Sequence, residues 1–436
     1  MKLFIFIICI QLVYSWKVKF LTPDDNGDSD RLNLKMQETF ELPIEIAETD
    51  TIKSPTYKFM AKTDKPEIAD TNSIILSENI PPSSNWIGNI SISGNLLGKA
   101  NLYLQLVLPT NITEDSNEKL SVIVTRKERV IDHVFTGSVI LLVSLLNINF
   151  GAAIDLSKMR GILTRPIGPI LGFVGQFIVM PLVSFGLGFA VFSSSPELHL
   201  GLFFTGVSPG GGASNMWSVI LGGNIDLSII MTSISTLACF GMMPLWIFTL
   251  GKVIFDRAEL RVPYSRIASF TVALLVPLAI GILIQYYLPR VRRVLVRLLK
   301  PISMLLILFI IIFAIVTNLY LFELFSWRII VAGLGLPWIG YILSLLGAKA
   351  CKQNSADSLT IAIETGIVNT GISIALLKFC LDQPAADLTT VIPVSVAIFT
   401  PIPLLVLYVY QKCQRNPNGE RSKILATEAK ENNFSD

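Results

Sequence analysis

Ser208-Pro209-Gly210-Gly211-Gly212-Ala213-Ser214-Asn215 stands in the middle of an apolar run extending from residue 198 to 221. A second stretch, Glu364-Thr365-Gly366-Ile367-Val368-Asn369-Thr370-Gly371, interrupts the run 357–378 in the same way. Proline removes a backbone donor and glycine weakens a helix, so both stretches free carbonyls and amides in apolar surroundings. Inside a membrane such groups are tolerated only where protein buries them or a wet cavity meets them. Each run is therefore predicted to be two half-helices around an unwound centre.

The surroundings of the two stretches place them in a membrane. Of 436 residues, 52% are apolar and only 15% charged, with a mean hydropathy of +0.60. Roughly a quarter of a soluble chain is charged. Residues 16–133 are polar, whereas 134–411 read as nine apolar stretches, each near the length of a spanning helix: 134–154, 167–192, 198–221, 226–250, 266–288, 301–322, 327–347, 357–378 and 388–410. The expectation is an all-α polytopic membrane protein of nine transmembrane helices, carrying a small β-rich N-terminal extracellular domain. A net charge of +3 gives no sign of a nucleic-acid partner. With His133 and His199 as the only histidines, five cysteines and no CxxC pair, zinc chemistry lacks ligands. HExxH is absent too, and no enzyme is expected.

The first residues, a basic start followed by an apolar run too short to span, predict a signal peptide over 1–15. Residues 16–133 would then be extracellular or lumenal, with sequons at Asn89 and Asn111 available for glycosylation. Residues 101–108 and 121–125 read as strands, and the acidic, Pro-interrupted 22–72 as a loose segment. A nine-helix domain over 134–411 leaves 412–436 as a cytoplasmic tail. Twelve basic residues on the inner side against nine on the outer agree with that orientation, and the plasma membrane is the expected location.

The two interrupted runs lie five crossings apart and so point in opposite directions, as in inverted-repeat transporters with a midplane site. Glu364 sharpens the expectation. A carboxylate at the bilayer centre costs at least ~2.5–3.5 kcal/mol and normally has a partner. No other span carries Lys or Arg at its middle. Neutral oxygens are available instead, from Ser214, Asn215, Ser228, Thr232, Gln176 and Asn369. Such a set around one carboxylate is hard-cation chemistry and, with so little formal charge, suits a monovalent ion.

Phe150-Gly151-Ala152-Ala153-Ile154-Asp155, Gly175-Gln176, Ser208 to Asn215, Asn224 to Thr236 and Glu364 to Asn369 together resemble the bile acid:sodium symporter family, solute carrier family 10. The resemblance implies two broken helices that cross and two sodium sites. The first would comprise Ser214, Asn215, Ser228, Thr232 and Glu364. The second would use Gln176, Glu364 and main-chain oxygens around Thr365 and Ile367, with a glutamine side chain at position 368. This chain has Val368 there, which offers no side-chain oxygen, and Asn224 where many members have aspartate.

The function expected on these grounds is Na+-coupled symport of an amphipathic organic anion, of the bile acid or steroid-conjugate class. The anion is expected near Asn215, Thr365 and Asn369, where half-helix N-termini favour negative groups. Phe173, Phe177 and Phe399 offer either pocket lining or plain packing. The alternative is a non-transporting receptor or scaffold that keeps the fold. Neither the oligomeric state nor the particular anion can be read from the residues.

Overall fold

The computed structural model describes residues 16–22, 31–47, 52, 56–76, 78, 80, 85–110, 112–127, 129–153, 166–317 and 326–414. The expected signal peptide, the sequon at Asn111 and all but the first three residues of the tail lie outside the described residues. The chain divides into two compact units between residues 128 and 129.

The first unit is a β-sandwich. One sheet has the order β1 (Lys17–Phe20), β3 (Thr39–Ala47), β7 (Trp86–Gly94), β5 (Ala69–Asp70). The other has β2 (Arg31–Lys35), β10 (Leu120–Thr125), β8 (Gly98–Val107), β4 (Lys58–Thr63), β6 (Ile74–Leu76), with β9 (Thr113–Asp115) on β8. Among the described strands only β2 and β10 pair in parallel. Alternate residues face inward, as the period of two in a strand requires. Leu42, Ile44, Ile46, Ile90 and Ile92 from one sheet and Phe59, Leu102, Leu104, Leu106 and Val122 from the other are wholly buried in one core. At roughly 1.5–3 kcal/mol for each large apolar side chain, that core replaces the disulfides this region lacks.

The described parts of residues 22–72, 31–47 and 56–72, are thus not a loose segment. Arg31-Leu32-Asn33-Leu34-Lys35 alternates exposed and buried positions along β2, and Pro43 sits inside β3. Its carbonyl accepts from Leu21 N at 2.9 Å, just beyond the last β1 pair, Phe20 with Ile44. The missing N–H of Pro43 faces the same side, so the return bond to Leu21 cannot form and β1 ends at Phe20. Asn89 is exposed on β7.

The second unit is helical. Among the described residues, six helices are long and apolar enough to cross a membrane: α1 (Val130–Ala153), α2 (Ile167–Val191), α5 (Ile225–Arg257), α6 (Tyr264–Tyr287), α8 (Trp327–Ala350) and α11 (Ala385–Gln414). Between them lie the half-helices α3 (Pro196–Gly206) and α4 (Ala213–Ile220), then α7 (Pro289–Thr317), then α9 (Ser355–Gly366) and α10 (Thr370–Cys380). The basic segment 290–300, expected as a loop, is helical and continuous with the apolar part of α7. Arg, Leu and Lys are strong helix formers, and Pro289 at the first position suits a helix start.

α1, α6 and α7 pack as one group, and α2, α3, α8, α9, α10 and α11 as another. α1 and α6 approach most closely at Gly151 and Gly281, where an added Cβ on Gly281 would lie 2.9 Å from the Gly151 Cα. Small residues permit such backbone contact between membrane helices. Lys378 in the last turn of α10 pairs with Asp387 in the first turn of α11, whose side chain is wholly buried. Each charge also complements its own helix dipole.

Candidate functional site

α3 stops at Gly206 and α4 starts at Ala213; α9 stops at Gly366 and α10 starts at Thr370. The two unwound segments meet and satisfy one another. Gly211 N donates to Ile367 O at 2.7 Å and Asn369 N donates to Pro209 O at 2.8 Å. Gly210 and Val368 form an antiparallel bridge, so the segments run in opposite directions where they cross. Gly210 N donates to Ser235 Oγ at 2.6 Å, and the Ser208 carbonyl accepts from Gln176 Nε2 at 2.6 Å. Buried backbone groups that find no helical partner are thereby paired, as they must be.

Glu364, 3% exposed, lies in the last turn of α9 beside this crossing. Its Oε1 accepts from Ser214 Oγ at 2.7 Å, Ser228 Oγ at 2.5 Å and Thr232 Oγ1 at 3.0 Å, and its Oε2 accepts from Thr232 Oγ1 at 2.9 Å. Ser214 and Asn215 come from the first turn of α4, and Ser228 and Thr232 from one face of α5 at a spacing of four. Asn215 joins through Ser228 Oγ, 2.9 Å from its Oδ1, and through its own Nδ2, 3.3 Å from Thr232 Oγ1. All four neutral residues are buried. Three helices thus bring Ser214, Asn215, Ser228, Thr232 and Glu364 together.

The cluster is poor in protons. Each hydroxyl has one hydrogen to give. Yet Ser214 Oγ also faces Gly211 O at 2.7 Å, Ser228 Oγ faces Asn215 Oδ1, and Thr232 Oγ1 faces Ser228 O at 3.0 Å. Three hydroxyl hydrogens are therefore shared among the two carboxylate oxygens, an amide oxygen and two backbone carbonyls. A cation could take up the unshared lone pairs; another hydrogen-bond acceptor could not.

The other expected ligands lie at the crossing and make their hydrogen bonds to groups other than the carboxylate. Gln176, in a π-helical turn of α2 (Gly175–Val179), donates its Nε2 to Ser208 O. Thr365 Oγ1 donates back to Ile361 O at 2.9 Å, and Ile367 O holds Gly211 N. Val368 is apolar and 5% exposed.

Beside the crossing opens a narrow cleft with an enclosed volume of about 50 Å3, lined among others by Leu146, Gly212, Trp217, Val368, Asn369 and Thr400. The starts of α4 and α10 both face it through Ala213 and Thr370. Of the three residues expected at the anion, Asn369 lines the cleft; Asn215 belongs to the carboxylate cluster, and Thr365 is back-bonded. Asn369 also caps α10, its Oδ1 accepting from Ile372 N at 3.2 Å. None of Phe173, Phe177 and Phe399 lines the cleft. Phe173 and Phe177 pack on each other at 5.3 Å, and Phe399 packs close to Gly333.

The sequence reading missed Ser235, Trp217 and the partner of Asn224. Ser235 continues the stripe of Ser228 and Thr232 at i+7, a periodicity that was open to detection. Asn224 caps α5, accepting from Leu227 N at 3.2 Å, while its Nδ2 donates to Asp357 Oδ1 at 2.7 Å. Asn224 N donates to Thr360 Oγ1 at 2.7 Å. With Asp357 opposite, an amide at 224 pairs where a second carboxylate would repel.

Taken together, long apolar helices and two interrupted helices crossed antiparallel around a buried carboxylate define a multi-pass membrane protein. Residues 139–323 match the family described as Sodium Bile acid symporter family. The chain is 30% identical over 334 residues to "P3 protein" of Homo sapiens, covering 73% of this chain and 70% of that one. It is 32% identical over 272 residues to "P3 protein" of Bos taurus, of which it spans 57%. To "Ileal sodium/bile acid cotransporter" of Cricetulus griseus it is 31% identical over 286 residues, covering 64% of this chain and 81% of that one. The chain belongs to the sodium/bile acid symporter family, whose members are transporters and not enzymes.

Proposed function

We propose that this chain couples inward movement of Na+ to import of an amphipathic organic anion of the bile acid or steroid-conjugate class. The observation that carries the reading is the Glu364 carboxylate at the crossing, held by Ser214, Ser228 and Thr232 in a cluster short of protons. Na+ would replace those shared hydrogens, with Asn215 Oδ1 completing the oxygen set. Hard monovalent cations favour such neutral oxygens around one charge. The anion would enter the adjoining cleft, its charge against the α4 and α10 N-termini and its apolar body along Trp217, Val368 and Leu146.

In this reading α7 and the two interrupted pairs also cross the bilayer, giving nine crossings, with residues 16–133 outside, the C-terminus in the cytoplasm and the two halves inverted. Asn89 and Asn111 would carry glycans, and the chain would reside in the plasma membrane. One Na+ per cycle is the stoichiometry proposed. Position 368 is apolar, so the second site that the resemblance implies lacks one side-chain oxygen, and Glu364 has one complete oxygen cage around it. With a monovalent anion, transport is then electroneutral.

The test is uptake of a panel of bile acids, steroid sulphates and other organic anions into cells expressing the chain, with Na+ present or replaced by choline. Uptake of at least one amphipathic anion should require Na+ and vanish in Glu364→Gln at equal surface expression. Equal uptake in choline would refute the coupling.

A further inference from the structure

We propose that the first three turns of α7 form a binding surface for anionic phospholipid headgroups. The surface is separate from the carboxylate cluster and from the cleft. It rests on the chain being a membrane protein, not on the Na+ assignment.

The segment runs Pro289-Arg290-Val291-Arg292-Arg293-Val294-Leu295-Val296-Arg297-Leu298 and is helical throughout. Arg292 fixes its rotation. It is half-buried, and its Nε donates to Ala152 O in the last turn of α1 at 3.1 Å. At 100° per residue, Arg290, Arg293 and Arg297 then lie within about 60° of one another on the far side of the helix. All three are exposed, and none forms an ion pair with a described residue.

Alongside this basic ridge runs an apolar shoulder. Val291 is 41% exposed, Val294 54% and Leu298 41%. A ridge of arginines with an apolar flank suits neither bulk water nor the hydrocarbon core; it suits the boundary between them. The depth is marked independently. Tyr286 and Tyr287, at the end of α6 just before this segment, are 66% and 77% exposed. Tyrosine gathers at the headgroup level, where its ring is in lipid and its hydroxyl in water. The arginines therefore start at headgroup depth, with planar guanidinium groups able to take phosphate oxygens in pairs. The valines and Leu298 would lie among the upper acyl carbons. Charge complementarity selects the anionic lipids of the leaflet, since zwitterionic headgroups offer no net attraction. Because Arg292 ties α7 to α1, and Leu146 of α1 lines the cleft, lipid held on this ridge would brace one wall of that cleft.

The experiment measures binding of fluorescent phosphatidylserine and phosphatidylcholine to the purified full-length protein in neutral detergent. Phosphatidylserine should bind the wild type more tightly, and 1 M NaCl should weaken it, because a Debye length of about 3 Å screens such contacts. At about fivefold per basic residue, the triple change Arg290→Gln, Arg293→Gln, Arg297→Gln should weaken phosphatidylserine roughly a hundredfold. If the triple Gln variant fails to fold, the single changes Arg290→Gln, Arg293→Gln and Arg297→Gln decide the matter, each expected to weaken phosphatidylserine about fivefold, and no weakening in any of them would overturn the proposal. Equal affinity for the two lipids would overturn the proposal, as would undiminished phosphatidylserine binding by the Gln variant. Glycerophosphoserine competing as well as the intact lipid would overturn it too, since the site would then take a soluble anion.

Discussion

Replacing Glu364 by Gln keeps the size and the oxygen at one position but removes the charge. In the wild type a Na+ inside the cage would sit about 3 Å from the centre of that charge. At an effective dielectric near 20, the attraction is about 5 kcal/mol, more than three decades of affinity. The new amide nitrogen would also point hydrogens at Ser214, Ser228 or Thr232 oxygens, where the native cluster supplies lone pairs. Thermal unfolding of the purified protein in NaCl and in choline chloride reads this directly. A ligand that binds only the folded state stabilises it, by about 2.7 kcal/mol at a hundred times its dissociation constant. The wild type should unfold several degrees higher in NaCl. Glu364→Gln should show no salt-specific difference, while its melting temperature in choline should equal or exceed that of the wild type, because a buried charge has gone. Retention of the full Na+-specific shift in Glu364→Gln would refute the reasoning.

Four further outcomes are expected. Gly211→Ala places a Cβ 2.9 Å from Val368 O, a backbone atom of the crossing that cannot swing aside, and should lower stability by about 1–3 kcal/mol and reduce the Na+ shift; an unchanged melting curve would show that the crossing is pliable. Asp387→Ala leaves Lys378 in the α10–α11 hairpin without its partner and should cost about 3–5 kcal/mol, with Lys378→Met recovering much of it in the double variant; no recovery would place the cost elsewhere. Asn224→Asp exchanges the bond to Asp357 for repulsion and should cost about 1.5–3 kcal/mol, restored by Asp357→Asn, as a double-mutant cycle on thermal stability will reveal. Uptake of a monovalent anion by the wild type should ignore an imposed membrane potential, whereas Val368→Gln should raise the Na+ Hill slope above one and add a voltage dependence of about 2.3 kcal/mol per 100 mV; a wild type already driven by voltage contradicts single-ion coupling.

The features legible in the sequence were those that break a rule of their surroundings. Pro209 with three glycines, and Gly366 with Gly371, weaken a buried helix. Glu364 stands out because an acid in a span is rare. Ser228 and Thr232 share a helix face by their spacing alone, and the structure brings them to that acid together with Ser214 and Asn215. What escaped depends on neighbours distant along the chain. Nothing near Gln176 announces that its amide holds Ser208 O, and nothing near Asn224 announces Asp357. Asp387 and Lys378 read as ordinary boundary charges until α10 and α11 fold against each other. In the β-sandwich, Pro43 and the acids of residues 31–47 and 56–72 masked strands whose inward faces are nonetheless regular, because Pro43 stands at the end of the β1 pairing and costs only one bond there. The length of α7 was obscured for the opposite reason. Its arginines were taken for loop residues, although arginine is a good helix former.

The central claim is that one Na+ occupies the oxygen cage around Glu364. Equilibrium binding of radioactive 22Na+ to the purified protein tests it most directly. One saturable ion per chain, absent from Glu364→Gln and displaced by unlabelled Na+ but not by choline, is the predicted result. No saturable ion, two ions, or one that persists in Glu364→Gln would contradict it.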